Sequence, residues 1–99
     1  MIRNHMSLTF PSLAENESFA RVAIAAFAVQ LSPTLSEIAD LKTAVSEAVT
    51  NAIVHGYEGT RGDILLRASY DERGEITVEI EDHGKGIADI AQAMEPFYT

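Results

Sequence analysis

Cysteine is absent from this 99-residue sequence, and proline occurs only three times. Without cysteine the chain has no disulfide framework and no thiolate metal site, which argues against redox chemistry. Basic residues are also scarce, since seven Lys and Arg stand against 15 Asp and Glu for a formal charge of -8. Phosphate backbones and anionic membranes repel such a balance, so nucleic acid and membrane surfaces are poor partners.

Long apolar runs are missing as well. No run approaches the roughly 20 residues of a membrane span, and residues 1–5 lack the apolar core of a signal peptide, so we expect a soluble cytoplasmic protein. No repeat or linker interrupts the chain, so we expect residues 1–99 to form one domain. With 46% hydrophobic residues the chain is too apolar for disorder. Its core is thin, however, which favours oligomerisation or a continuation of the chain.

The first third of the chain predicts a strand followed by a helix. Residues 6–10 alternate in polarity and predict a strand that ends at Pro11. The stretch to Leu31 predicts a helix, with Ser12 and Glu15 at capping-box spacing. This helix is apolar nearly all round, so one flank is expected to pack on the core and the other to meet a second subunit. The expected core face is Phe19, Val22, Ala23, Ala26 and Phe27, and the expected subunit flank is Ala20, Ile24, Ala28 and Leu31.

A second helix is predicted to end at His55. Thr34 and Glu37 are spaced for a capping box at its start, apolar residues recur every three or four positions, and Gly56 follows where a left-handed C-cap is expected.

Two alternating segments, residues 64–70 and 76–80, flank turn residues 71–74 and predict an antiparallel hairpin. A short helix is expected beyond Ile87, to about residue 94. Strands and helices thus segregate, which predicts an α+β two-layer sandwich with an antiparallel or mixed sheet and the helices on one face.

A polar stripe near the end of the second helix carries the first candidate site. Glu47 and Asn51 lie four positions apart, so their side chains point to nearly the same side of the helix. A carboxylate can accept a hydroxyl proton, and a neutral amide oxygen suits a hard cation such as Mg²⁺ that keeps water and phosphate ligands. A solvated helix face explains the spacing of this pair equally well.

The second candidate site follows the last predicted strand. Alternation places Asp82 on the face that the helices cover, where a carboxylate needs hydrogen-bond donors such as the amino group of adenine. Gly84 and Gly86 would let the backbone turn and approach a ligand closely. A simple turn at the end of the strand is the alternative.

With both sites, the sequence resembles proteins of the Bergerat-type ATP-binding fold, which gyrase, histidine kinases and mismatch-repair ATPases share. Within that superfamily, residues 16–21, residues 45–57 and the overall spacing are similar to the sporulation anti-sigma factors that are also protein serine kinases. The resemblance implies a dimer that binds a sporulation sigma factor and, with ATP, phosphorylates a serine of its anti-anti-sigma antagonist.

The resemblance also implies roles for individual residues. Asn51 matches the Mg²⁺ ligand, Glu47 the proposed general base and Asp82 the residue that reads adenine in ATP or ADP. The loop glycines match Gly84 and Gly86, and the segment that meets protein partners includes Glu17 and Arg21.

Family members continue beyond the position matching Thr99 through a nucleotide lid and a second glycine-rich box, so we expect this chain alone to be catalytically silent. Two alternatives remain at this stage: a non-catalytic, nucleotide-gated protein-binding module and an acidic interaction domain that binds no ligand.

Overall fold

The structure of the chain is a computed structural model that describes residues 1–56, 62–82 and 86–89. Four strands, β1 (Ile2–Pro11), β2 (Asp63–Asp71), β3 (Ile76–Asp82) and β4 (Gly86–Asp89), form one antiparallel sheet in the order β1-β2-β3-β4. Between β1 and β2 lie two helices, α1 (Asn16–Ala28) and α2 (Leu35–Asn51), which pack against each other over one face of the sheet. This arrangement confirms the predicted α+β two-layer sandwich.

The core forms between the sheet and the helices, from side chains that alternate along the strands and recur along the helices. Its largest fully buried side chains are Ile24, Leu41, Val45, Val49, Ile64, Leu66, Val78 and Ile80. The opposite sheet face is polar, and there Arg67 pairs with Glu79 at 3.4 Å and with Glu81 at 3.2 Å. The alternation predicted for residues 64–70 and 76–80 is therefore confirmed.

The predicted burial of α1 was wrong except at Phe27, which belongs to the face assigned to the core and is 6% exposed. The flank assigned to a subunit contact faces the core: Ala20, Ile24 and Ala28 are fully buried, and Leu31 packs at the rim. On the face assigned to the core, Phe19 is 49% exposed and Val22 is 65% exposed. Periodicity could not choose between these two flanks, because both carry apolar side chains at helical spacing.

The predicted capping box of α1 was also wrong. The cap residue is Glu15, which makes no side-chain capping bond. The Ser12 hydroxyl instead accepts the backbone N–H of Gly62 at 3.0 Å, while the Ser12 N–H donates to the Gly62 carbonyl at 2.8 Å. The Ser12 hydroxyl, which the local pattern assigned to the helix cap, thus bonds to the distant Gly62 instead.

Two element boundaries also differ from the prediction. Strand β1 begins at Ile2 rather than Met6, because its pairing with β2 continues through the polar N-terminal residues. Residues 87–89 are a strand rather than the start of a helix, because they complete the free edge of β3. The remainder of that predicted helix lies outside the described residues.

Candidate functional site

Helix α2 presents the first part of the site. The predicted capping box at its start is confirmed, since the Thr34 hydroxyl accepts the N–H of Glu37 at 3.1 Å and the Glu37 carboxylate accepts the N–H of Thr34 at 2.8 Å. The capping box fixes where α2 begins, and the buried side chains Leu41, Val45 and Val49 fix which side of the helix faces the core. Glu47 and Asn51 consequently project from its exposed side.

The helix changes character immediately after Asn51. Residues Ala52–Gly56 form a π-helical turn, so Gly56 belongs to the last helical turn rather than following it as the predicted C-cap. This turn contacts β3, the strand that ends at Asp82. Single π-helical turns inside or at the end of α-helices occur frequently at functional sites. Here the turn joins the helix that carries Asn51 to the strand that carries Asp82.

Helices α1 and α2 bring four of the predicted site residues together. A cavity of about 370 Å³ is lined by Glu17, Arg21, Ser46, Glu47, Thr50 and Asn51. Sequence reasoning treated Glu47 and Asn51 as one site and Glu17 and Arg21 as another. The structure places both pairs around a single cavity.

The helix α1 side of this cavity is organised by hydrogen bonds. Arg21 Nη1 lies 3.4 Å from Oε2 of Glu17, an ion pair between residues one turn apart. The Ser46 hydroxyl donates to the same Glu17 oxygen. The sequence assigned no role to Ser46, because no local pattern could reveal a bond between residues 29 positions apart.

The glycine-loop part of the site is described incompletely. Asp82 is partly buried at the end of β3, on the same strand face as Val78 and Ile80, as the alternation predicted. Gly86 begins β4 and pairs directly with Asp82. Gly84 lies outside the described residues, and Asp82 does not line the cavity around Glu47.

The donor set beside the cavity is compatible with a hard cation. Glu47 has carboxylate oxygens and Asn51 an amide oxygen, and Mg²⁺ prefers oxygen ligands while keeping several waters or phosphate oxygens. Among the described residues, no group of three or more His, Asp or Glu side chains is placed to hold a metal ion. A cation at Asn51 would therefore need further ligands from a bound molecule, such as the phosphate oxygens of a nucleotide.

Comparison with known proteins defines the class. A family model described as a histidine kinase-like ATPase domain matches residues 10–97. Anti-sigma F factors are similar over nearly the whole chain. The one from Clostridium botulinum (strain Alaska E43 / Type E3) is 57% identical over 99 residues, which are all of this chain and 69% of that protein.

Two further relatives carry the same name. The anti-sigma F factor of Thermoanaerobacter sp. (strain X514) is 57% identical over 96 residues, covering 97% of this chain and 66% of that protein. That of Clostridium acetobutylicum is 56% identical over 99 residues, covering all of this chain and 68% of that protein. The chain belongs to the anti-sigma F factor family of histidine kinase-like ATPase domains, which confirms the family resemblance of the sequence. No helix in the described part of the chain has the length and apolar character needed to cross a membrane.

Proposed function

We propose that this chain provides the nucleotide-binding and partner-binding surface of an ATP-dependent protein serine kinase that also binds and inhibits a sporulation sigma factor. The observation that carries the proposal is the shared cavity, in which Glu47 and Asn51 of α2 face Glu17 and Arg21 of α1. A protein held by the α1 pair would lie directly beside the α2 pair. Names of the relatives support a sigma factor as one partner.

In the proposed reaction, a serine hydroxyl of an anti-anti-sigma protein attacks the terminal phosphorus of ATP. The serine Oγ–P bond forms, the bond from that phosphorus to the bridging oxygen breaks, and ADP leaves with the electron pair. Glu47 takes the hydroxyl proton. Asn51 would hold Mg²⁺, which would supply positive charge to offset that of the phosphates. The Asp82 carboxylate accepts a hydrogen bond from the amino group of adenine, at the other end of the nucleotide.

The test separates Glu47 from Asn51. It uses a chimera in which this chain is joined to the C-terminal segment of the Clostridium botulinum relative, because the chain spans about two-thirds of the length of such relatives. We expect Glu47→Gln to bind ATP and both proteins but to phosphorylate the antagonist at least about a hundredfold more slowly, the usual weight of general-base catalysis. We expect Asn51→Ala to lose Mg²⁺-dependent ATP binding.

Radiolabel transfer and calorimetry measure these two effects. Ser36→Ala, a polar change in the exposed first turn of the same helix, controls for general effects on α2. If Glu47→Gln transferred the phosphoryl group at the wild-type rate, Glu47 would be excluded as the general base. Nucleotide-sensitive partner binding with no phosphoryl transfer in the wild-type chimera would instead select the non-catalytic, nucleotide-gated module.

The proposal includes a homodimer, whose surface differs from the one predicted by sequence. Ala20 and Ile24 are buried in the core and are not available for this contact. We place the contact on the other side of α1. There an exposed apolar stripe is available, consisting of Phe19, Val22, Ala26 and Val29. Exposed contiguous apolar side chains of this kind mark protein interfaces.

A further inference from the structure

Ser46 connects the two helices that form the cavity. Its hydroxyl, on α2, donates a hydrogen bond to Oε2 of Glu17 on α1. The Ser46 side chain is partly buried, and Glu47 follows it immediately in the chain. The bond therefore fixes the Glu17 carboxylate of α1 relative to Glu47 of α2 at the same cavity.

The same carboxylate oxygen holds Arg21. Arg21 Nη1 lies 3.4 Å from Glu17 Oε2, and Arg21 Nη2 donates a long bond of 3.4 Å to the Ser18 hydroxyl. An exposed ion pair one helical turn apart contributes little by itself and leaves both long side chains mobile. Because Ser46 restrains the Glu17 carboxylate, it also restrains the guanidinium that pairs with this carboxylate.

Arg21 stands where two cavities meet. Beside the cavity that contains Asn51, a second one of about 550 Å³ is lined by Arg21, Ala39, Lys42, Thr43, Ser46 and Glu47. Both cavities share Arg21, Ser46 and Glu47. The direction of the guanidinium therefore determines which hydrogen-bond donors a protein segment would meet next to Glu47.

We propose that Ser46 is a positioning residue that acts through Glu17 to hold the Arg21 guanidinium at this junction, and thereby orients a bound partner protein beside Glu47. The inference rests on the proposed function, in which Arg21 contacts the partner and Glu47 is the base. Ser46 itself touches neither the nucleotide nor the acceptor hydroxyl in this mechanism.

The first measurement concerns only the 99-residue chain. Nitrogen-15 relaxation of the Arg21 Nε–H group reports the motion of the guanidinium, and we expect a clear fall in its order parameter in Ser46→Ala. Ser46→Thr keeps the hydroxyl and should restore the wild-type value. Ser36→Ala makes the same chemical change in the exposed first turn of α2, far from the cavity, and should leave Arg21 unchanged.

The second measurement is calorimetric binding of purified sigma factor F to the same four proteins. We expect Ser46→Ala to bind up to about tenfold more weakly, because binding must then immobilise the loosened Arg21 side chain, and Ser46→Thr to recover most of that loss. Unchanged Arg21 motion in Ser46→Ala would overturn the inference, as would increased motion with unchanged affinity. A wild-type chain that binds no sigma factor would instead contradict the proposed function, while loosened Arg21 in Ser46→Ala would still establish the positioning of its side chain.

Discussion

Asp82 illustrates how much one residue's position in a strand can predict. Alternation along β3 put it on the helix-covered side, and the structure confirms that it is partly buried there. In the proposed function it reads adenine, which is common to both nucleotides. We therefore expect Asp82→Ala to weaken ATP and ADP equally, by roughly ten- to a hundredfold for the loss of a hydrogen bond to a charged group.

Calorimetry with both nucleotides on the chimera tests this expectation. Glu79→Ala is the matched control, because Glu79 lies on the same strand but on the opposite, polar sheet face. Equal affinities in wild type and Asp82→Ala would remove Asp82 from the nucleotide site. A loss confined to ATP would point to the phosphates rather than the base.

Asp71 makes a pH-dependent contribution at the hairpin turn. Its Oδ1 accepts the backbone N–H groups of Glu75 at 3.0 Å and Arg73 at 2.9 Å. These bonds, the one from Glu75 foremost, lower the pKa of the Asp71 carboxyl below its ordinary value. A carboxyl with a lowered pKa in the folded state stabilises the fold above its unfolded pKa of about 3.9, and this contribution is lost as the pH falls through the folded value.

We therefore expect Asp71→Asn to lower the urea midpoint at pH 7, and the difference from wild type to shrink as the pH falls below about 4. Glu72→Gln removes the same charge from the same turn and controls for net charge. A difference that is constant between pH 7 and pH 3 would show that charge on Asp71 does not support the turn.

At the scale of elements, the start of α2 depends on its capping box. We expect Thr34→Ala to destabilise the chain by about 1 kcal/mol, because it leaves the Glu37 N–H without its side-chain acceptor, and Thr34→Ser to restore stability. Urea unfolding followed by circular dichroism measures both. Ser36→Ala, an exposed change within α2, is the control. A Thr34→Ala midpoint equal to that of the control would exclude the cap as a stabilising contact.

The two capping-box patterns also show what local sequence can predict. The Thr34 box formed, with both of its reciprocal hydrogen bonds to Glu37 in place. The Ser12 pattern did not form, because Gly62, 50 positions away, takes the hydroxyl. Strand alternation and helix periodicity were likewise reliable where one face was apolar, and failed in α1, where both faces were.

In the candidate site, too, local patterns were predictable from sequence and long-range contacts were not. Spacing within α2 was enough to place Glu47 and Asn51 on one exposed side, and strand parity was enough to place Asp82. Packing of α1 on α2, which brings Glu17 to Ser46, depends on contacts across 29 positions and has no signature in either helix alone. Sequence therefore predicted the positions of Glu47 and Asn51 on α2 but not that they share one cavity with Glu17 and Arg21.

At the scale of the whole molecule, the exposed side of α1 adjoins the edge of the sheet. Strand β1 is an edge strand among the described residues, and its Ile2 side chain is 57% exposed. Phe19, on the exposed stripe, packs edge-on against Phe10 of β1 with ring centroids 6.2 Å apart. Phe19 thus brings the exposed stripe of α1 into contact with β1. In the proposed dimer a second copy would bury this stripe.

Val22 tests this surface, because it is 65% exposed and its replacement leaves the core intact. Burying two valines in a symmetric dimer contributes about 3 kcal/mol, so we expect Val22→Glu to raise the dimer dissociation constant by at least about a hundredfold. Sedimentation equilibrium over a range of concentrations measures it. Leu35→Glu is the matched control, since Leu35 is 90% exposed at the start of α2 and outside the stripe. Dimers of equal strength in Val22→Glu and wild type would mean that the stripe is not the interface, and a wild-type chain that stays monomeric at every concentration would rule out self-association through this part of the chain.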